Sequence, residues 1–110
     1  MSAEHRLAVY GSLAPGKENH RQLHGLTGGW TSGTVRGELL QAGWGAGQGY
    51  PGLRLDPNGP TVAVQVFTSA DLPAHWERLD CFEGADYRRT AVTVETGEGP
   101  LDAYLYAVGG

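Results

Sequence analysis

Glu83, near the end of the most helical segment, is the side chain best placed for acid–base chemistry. Leu72, Trp76 and Leu79 recur at the spacing of one apolar helical face. At about 100° per residue, Glu83 falls within roughly 20° of Leu72. Burial and the negative end of the helix dipole would both raise the pKa of a carboxyl group there, as suits a base that must return its proton. If the helix ends by Cys81, Glu83 is solvated instead, and the spacing leaves both outcomes open.

A glycine-rich segment follows the first apolar run. Residues 11–17 read GSLAPGK, which matches the start of a phosphate-binding loop. Position 18 is Glu, however, where that loop needs Ser or Thr for magnesium, and no apolar helix follows. We therefore expect no nucleotide here. A glycine-rich turn after a strand instead exposes backbone N–H groups that can hold a carboxylate or a developing oxyanion.

Other reactive side chains have weaker support. Ser12 has no motif that places a His and an Asp beside it, so a turn hydroxyl bonded to local backbone is the simpler interpretation. His20 and His24 are four residues apart, but no Cys pair or His-Glu-x-x-His pattern accompanies them, and we expect no metal. Three aromatic residues are interpreted either as pocket lining or as core: Trp44, Tyr50 and Tyr87.

The elements that must position these residues are mostly strands. Alternation and turn residues predict strands at 7–10, 31–40, 53–55, 61–67, 88–95 and 101–108, the second interrupted at Gly33 and Gly37. Valines 62, 64 and 66 are expected on one face. One main helix is predicted, capped by Thr68 or Ser69 and ending about Phe82. This order indicates an α+β domain on a small, mixed, barrel-like sheet.

Bulk composition narrows the class of protein. A chain of 110 residues with 40% hydrophobic residues predicts one domain over residues 1–110. A net charge of −4 argues against nucleic acid, and no apolar run is long enough for a membrane. The single cysteine and an N-terminus without signal-peptide features predict a cytoplasmic location.

Three segments together carry a resemblance. They read VYGSLAPG at 9–16, GYPGL at 49–53, and LDCFEG at 79–84 followed by YRR at 87–89. In order and spacing, from about residue 6 to 107, they resemble the gamma-glutamylcyclotransferase-like family, especially its gamma-glutamylamine cyclotransferase and plant avirulence-induced branches. The resemblance implies a small β-barrel with short flanking helices, no cofactor, and a pocket between the first turn and a catalytic Glu.

Residue by residue, the resemblance makes Glu83 the catalytic acid/base. It makes Tyr10, Gly11, Ser12 and Leu13 the substrate-binding turn, and we add Tyr50 and Tyr87 to the expected substrate-binding set, with no individual role for Tyr87. The implied reaction is an intramolecular acyl transfer that releases an amine from a small gamma-glutamyl amide and forms 5-oxoproline. We expect a monomer or weak homodimer.

Two alternatives to this reaction stay open. The fold could serve a non-catalytic small-molecule binding module, although a buried carboxylate without a use is costly. The same chemistry could remove a gamma-glutamyl group from a biosynthetic intermediate. Residues 42–49 are unusually rich in glycine and depart from the family pattern, so the resemblance leaves the substrate undefined.

Overall fold

A computed structural model describes residues 3–10, 23, 25–40, 52–83 and 87–108, with only the backbone for residues 40, 82 and 83. The predicted strands are confirmed within a few residues at their ends. The bounds are β1 Arg6–Val9, β2 Gly29–Leu40, β3 Gly52–Leu55, β4 Thr61–Thr68, β5 Tyr87–Thr96 and β6 Gly99–Val108, and the helix α1 is Trp76–Glu83. A short 3-10 turn, Ala3–His5, precedes β1. No helix in the described part of the chain is long and apolar enough to cross a membrane.

The sheet closes into a mixed five-stranded barrel. Neighbours run in the order β2, β4, β1, β6 and β5, and β5 returns to β2 through the pairs Gly33–Thr96 and Thr34–Glu95. Every pairing is antiparallel except that of β1 with β6. The sixth strand, β3, pairs with the end of β2 and contacts β6. The predicted α+β class with a small mixed barrel is confirmed.

Strand alternation divides the apolar side chains into an inner and an outer core. The inner core fills the barrel and includes the predicted face of β4, Val62, Val64 and Val66. The outer core lies between the barrel and α1, where Leu7 and Val9 of β1 pack with the helical stripe Leu72, Trp76 and Leu79. Both predicted stripes are therefore buried as their spacing indicates.

Strand β2 is continuous, which corrects the predicted interruptions at Gly33 and Gly37. The two glycines instead allow a close approach of neighbouring backbones. A Cβ at Gly33 would lie 2.7 Å from the carbonyl oxygen of Glu95, and one at Gly37 would lie 2.6 Å from that of Arg54. Glycine thus lets β5 and β3 approach β2.

The predicted helix forms in two parts. A 3-10 turn, Leu72–Ala74, carries Pro73, and the α-helical ladder starts only when the Leu79 N–H donates to the His75 carbonyl, at 3.0 Å. The predicted cap at Thr68 or Ser69 is wrong: the residue that precedes the 3-10 turn is Asp71, whose side chain makes no capping hydrogen bond, while the Ser69 hydroxyl accepts the Asp71 N–H at 3.1 Å. The helix then continues to Glu83.

Candidate functional site

Described residues from all three motif segments lie at one end of the barrel, which we call the β1 end. Strands β1 and β6 are parallel and finish there, whereas β5 and β3 begin there. Tyr10, Gly52 and Tyr87 are described residues of the three segments. Glu83 precedes Tyr87 by four residues, so its backbone lies within about 14 Å of Tyr87. Topology therefore brings the borders of all three segments to one end.

Tyr10 lies on the inner side of the barrel, on the face opposite Leu7 and Val9, as strand alternation predicts. Its hydroxyl donates to the carbonyl oxygen of Tyr106 at 2.6 Å and accepts the N–H of Leu53 at 3.0 Å. The phenol thus joins β6 and β3 at the point where β1 finishes. This bracing function was missed from sequence, and contact of Tyr10 with substrate stays a prediction.

Tyr106 connects this end of the barrel to the helix. Its carbonyl oxygen accepts the Tyr10 hydroxyl, and its own hydroxyl donates to a carboxylate oxygen of Asp80 at 2.5 Å. Asp80 lies in α1, three residues before Glu83. The chain of contacts from Tyr10 through Tyr106 therefore reaches the last turn of the helix that carries Glu83.

Arg89 fastens the same carboxylate from the neighbouring strand. Its Nε lies 3.1 Å from the Asp80 oxygen that accepts the Tyr106 hydroxyl. The guanidinium carbon lies 4.7 Å from the centroid of the Trp76 ring and 4.9 Å from that of Tyr104, so the cation is held by two aromatic rings. The Trp76 Nε1–H also donates to the Glu4 carbonyl at 2.9 Å. These contacts fix the orientation of α1 on the β5–β6 hairpin.

A cavity of about 320 Å³ opens beside these contacts. We call it the arginine cavity, and its lining residues are Asp80, Tyr87, Arg88, Arg89 and Tyr106. Its volume is at the low end of the range for small-molecule sites, enough for a molecule of amino-acid size. Tyr87 lines the cavity and is also half-buried against the outer core, so both interpretations of that residue apply.

The predicted site residues differ in what the structure describes. Gly11, Ser12, Leu13 and Tyr50 lie outside the described residues, as do Trp44, His20 and His24. Glu83 is the last residue of α1, so the alternative in which the helix ends by Cys81 is wrong. Because the helical ladder restarts at His75, the azimuth is counted from Trp76, and seven residues again place position 83 within about 20° of the buried stripe.

The sequence analysis did not predict that Asp80, Arg89 and Tyr106 contact one another. Part of this contact, the pairing of Arg89 with Tyr106, can be derived from the hairpin turn. The turn at Gly97 and Glu98 sets a two-residue hairpin loop, since Thr96 pairs with Gly99. Counting back along both strands from that loop places Arg89 opposite Tyr106. The pairing of Arg89 with Tyr106 therefore follows from the turn, but the contact of Asp80 with both residues depends on how α1 docks on the β5–β6 hairpin.

The described residues contain no cluster of three or more His, Cys, Asp or Glu side chains that could hold a metal ion. Cys81 is exposed on α1.

Comparison with known proteins identifies the class to which this fold and site belong. The profile of the family described as gamma-glutamyl cyclotransferase, AIG2-like, matches residues 7–110. The chain belongs to this family, which is of the cyclotransferase type. Among curated proteins, no sequence matches the chain significantly.

Solved structures share the fold. The chain is similar to YkqA from Bacillus subtilis, with a TM-score of 0.73 and 25% identity over 94% of this chain and 35% of that one. It is also similar to an uncharacterized protein from Pyrococcus horikoshii, with a TM-score of 0.65 and 27% identity over 96% of this chain and 78% of that one. The TM-score with an AIG2-like protein from Mus musculus is 0.70, with 22% identity over 94% of this chain and 76% of that one. This likeness shows the fold alone. The chain thus spans about a third of the length of YkqA.

Proposed function

We propose that this chain is a cyclotransferase that releases an amine or amino acid from a gamma-glutamyl amide and forms 5-oxoproline, with Glu83 as the general acid/base. The observation that carries the proposal is the position of Glu83. It is the last residue of α1, on the same side of the helix as Trp76 and Leu79, and four residues before Tyr87, where β5 begins at the β1 end. Membership of the cyclotransferase family supports it.

The chemistry needs one proton carrier and a held substrate. The alpha-amino group of the glutamyl unit attacks its own gamma-carbonyl carbon, forming the ring C–N bond. Glu83 takes a proton from the ammonium group so that the neutral amine can attack, and gives that proton to the departing nitrogen as the original amide C–N bond breaks. The remaining surplus proton of the ring nitrogen then passes by way of the same carboxylate to the released amine, which leaves as an ammonium ion. Since the nucleophile belongs to the substrate, the protein contributes mainly by holding a folded conformer in which the two atoms are adjacent.

The contacts around α1 suit this task. A base is effective only when its position relative to the reacting atoms is fixed. Asp80, one turn before Glu83, is held by Tyr106 from β6 and by Arg89 from β5. In our proposal the turn at Tyr10, Gly11, Ser12 and Leu13 binds the glutamyl unit with its backbone N–H groups, across the β1 end from Glu83.

The test is incubation with a panel of gamma-glutamyl amines and gamma-glutamyl dipeptides, with 5-oxoproline measured by mass spectrometry. We expect turnover of at least one compound. Glu83→Gln keeps the side-chain shape but cannot accept a proton, and loss of a general base lowers kcat by about 10²–10⁴-fold.

Glu77→Gln is the matched control, because Glu77 is an exposed carboxylate of the same helix. It should keep full turnover. Full turnover by Glu83→Gln would remove Glu83 from the mechanism. Binding of 5-oxoproline without turnover of any compound would favour the non-catalytic binding module instead.

A further inference from the structure

We propose that Asp80 is a positioning residue for Glu83. Arg89 and Tyr106 hold the Asp80 carboxylate, and the three residues, which we call the helix anchor, fix the last turn of α1 and with it the place of the proposed base. The inference rests on the proposed function, because it takes Glu83 as the group that moves the proton. Asp80 acts through Glu83 and not on the substrate.

The end of α1 lacks the features by which a helix stabilises its own last turn. The helix has only eight residues, and no basic side chain lies in its last turn. Helices of this length are marginal without tertiary contacts. An acidic side chain near the negative end of the helix dipole is also unfavourable, and Asp80 is among the last four residues. The contacts of Asp80 with other elements therefore stabilise this turn.

Strand β5 supplies the cation that the end of the helix lacks. Arg89 Nε lies 3.1 Å from Oδ1 of Asp80. The guanidinium carbon lies 4.7 Å from the ring centroid of Trp76 and 4.9 Å from that of Tyr104. Because the two rings already hold the guanidinium group, little conformational entropy is lost when it pairs with the carboxylate. The pair thus joins the second half of α1 to β5.

Tyr106 provides a second contact to the same oxygen. An ion pair as exposed as that of Asp80, at 41%, contributes little by itself. The Tyr106 ring is buried, and its hydroxyl donates to Asp80 Oδ1 at 2.5 Å. The Tyr106 backbone carbonyl also accepts the hydroxyl of Tyr10, the first residue of the proposed substrate turn. One residue of β6 therefore contacts both the helix of the proposed base and the start of the proposed substrate turn.

The helical count places Asp80 beside the position of the base. Relative to Trp76, Asp80 lies at about 40° and position 83 at about −20° around the helix axis. Residues three apart on a helix have Cβ atoms about 5–6 Å apart. A displacement of Asp80 is therefore passed directly to position 83. Misplacement of a reacting group by about 1 Å can lower a rate by about a hundredfold.

Steady-state kinetics on a gamma-glutamyl compound that the wild type turns over test the inference. Asp80→Ala should lower kcat by about ten- to a hundredfold and keep KM within about twofold, as loss of a positioned base implies. Asp80→Asn keeps an acceptor for Tyr106, and Tyr106→Phe keeps the pair with Arg89, so each should lose less. An unchanged kcat in folded Asp80→Ala would overturn the assignment.

A double variant separates positioning from a general structural effect. In the Glu83→Gln background, Asp80→Ala should lower kcat no further, because no base remains to be positioned. A further fall as large as that in the wild-type background would mean that Asp80 acts otherwise than through Glu83, which contradicts the proposal.

Asp71→Ala is the matched control. Asp71 precedes the helical segment, and its carboxylate accepts the Thr27 N–H at 2.8 Å, so this variant also removes a contact between an aspartate and a distant part of the chain. It should lower the urea midpoint and leave kcat unchanged. A fall in kcat equal to that of Asp80→Ala would show that loss of stability, and not the helix anchor, limits the reaction.

Amide hydrogen exchange measures the helix anchor independently of turnover. Asp80→Ala and Tyr106→Phe should speed exchange at residues 81–83 by about tenfold or more relative to the amides of β4, whereas Asp71→Ala should not. Alanine favours a helix more than aspartate does, so faster exchange in Asp80→Ala cannot come from lost helix propensity. If no gamma-glutamyl compound is turned over, faster exchange supports the helix anchor while the reaction fails. Unchanged exchange in both variants would rule the helix anchor out.

Discussion

Tyr10 shows how a residue of the expected substrate turn also holds the scaffold together. Its single hydroxyl is bonded to backbone groups of two strands, the Leu53 N–H of β3 and the Tyr106 carbonyl of β6. Neither partner can move without breaking a hydrogen bond in a half-buried environment, where unpaired backbone groups are costly. The phenol therefore fixes the end of β1 relative to β3 and β6.

Tyr10→Phe should destabilise the protein. Removing the hydroxyl leaves the Leu53 N–H and the Tyr106 carbonyl without this partner, at a cost of about 1–3 kcal/mol in the free energy of unfolding. Urea denaturation followed by tryptophan fluorescence measures it. Tyr104→Phe is the control, since the Tyr104 hydroxyl makes no hydrogen bond to a described residue. Equal midpoints for the two variants would show that the bracing bonds contribute nothing.

At the scale of elements, barrel closure depends on a short contact between β2 and β5. The two strands pair at only two positions, Gly33 with Thr96 and Thr34 with Glu95. The parallel pairing of β1 with β6 is equally short, whereas β2 and β4 pair at eight positions. A side chain at Gly33 would enter this closing contact directly.

Gly33→Ala should therefore weaken closure. The added Cβ would lie 2.5 Å from Val94 Cγ1 and 2.7 Å from the Glu95 carbonyl oxygen, so the strands must separate. Overpacking of this kind costs about 1–3 kcal/mol, measured as a lower urea midpoint.

Gly29→Ala, in the same strand, is the matched control because no heavy atom lies within 4 Å of its added Cβ. We expect its unfolding free energy to stay within about 0.5 kcal/mol of wild type. If the two alanine variants unfold alike, the closing contact does not limit stability.

At the scale of the whole molecule, the topology bears on the phosphate-loop match at residues 11–17. That loop ordinarily joins a strand to a helix in a parallel sheet with repeated strand–helix units. Here β1 lies in a barrel between an antiparallel neighbour, β4, and a parallel one, β6. The surroundings expected of a nucleotide site are thus replaced by those of the cyclotransferase family.

We predict that 5-oxoproline raises the melting temperature, whereas ATP with magnesium does not. A ligand at ten times its Kd stabilises the folded state by about 1.4 kcal/mol. Differential scanning fluorimetry measures the shift. Proline at the same concentration is the control, because it lacks the ring carbonyl of 5-oxoproline. A magnesium-dependent shift with ATP, and none with 5-oxoproline, would return the loop to the nucleotide interpretation.

Local periodicity was sufficient for much of the architecture. The alternating valines of β4, the stripe of Leu72, Trp76 and Leu79, and the strand patterns at 88–95 and 101–108 each predicted a correct element from the sequence by itself. These features depend on the repeat of side chains along a strand or helix, and that repeat is written in neighbouring residues. The order of the three motif segments also indicates the family without reference to the fold.

Tertiary structure alone decided which distant groups meet. The parallel pairing of β1 with β6, the closure at Gly33, and the meeting of Asp80, Arg89 and Tyr106 join parts of the chain far apart in sequence. Such contacts depend on the register of several strands and on the docking angle of α1 together. A local pattern specifies which face of an element is buried, but not the side chain that lies opposite, because that choice is made by the packing of the whole barrel.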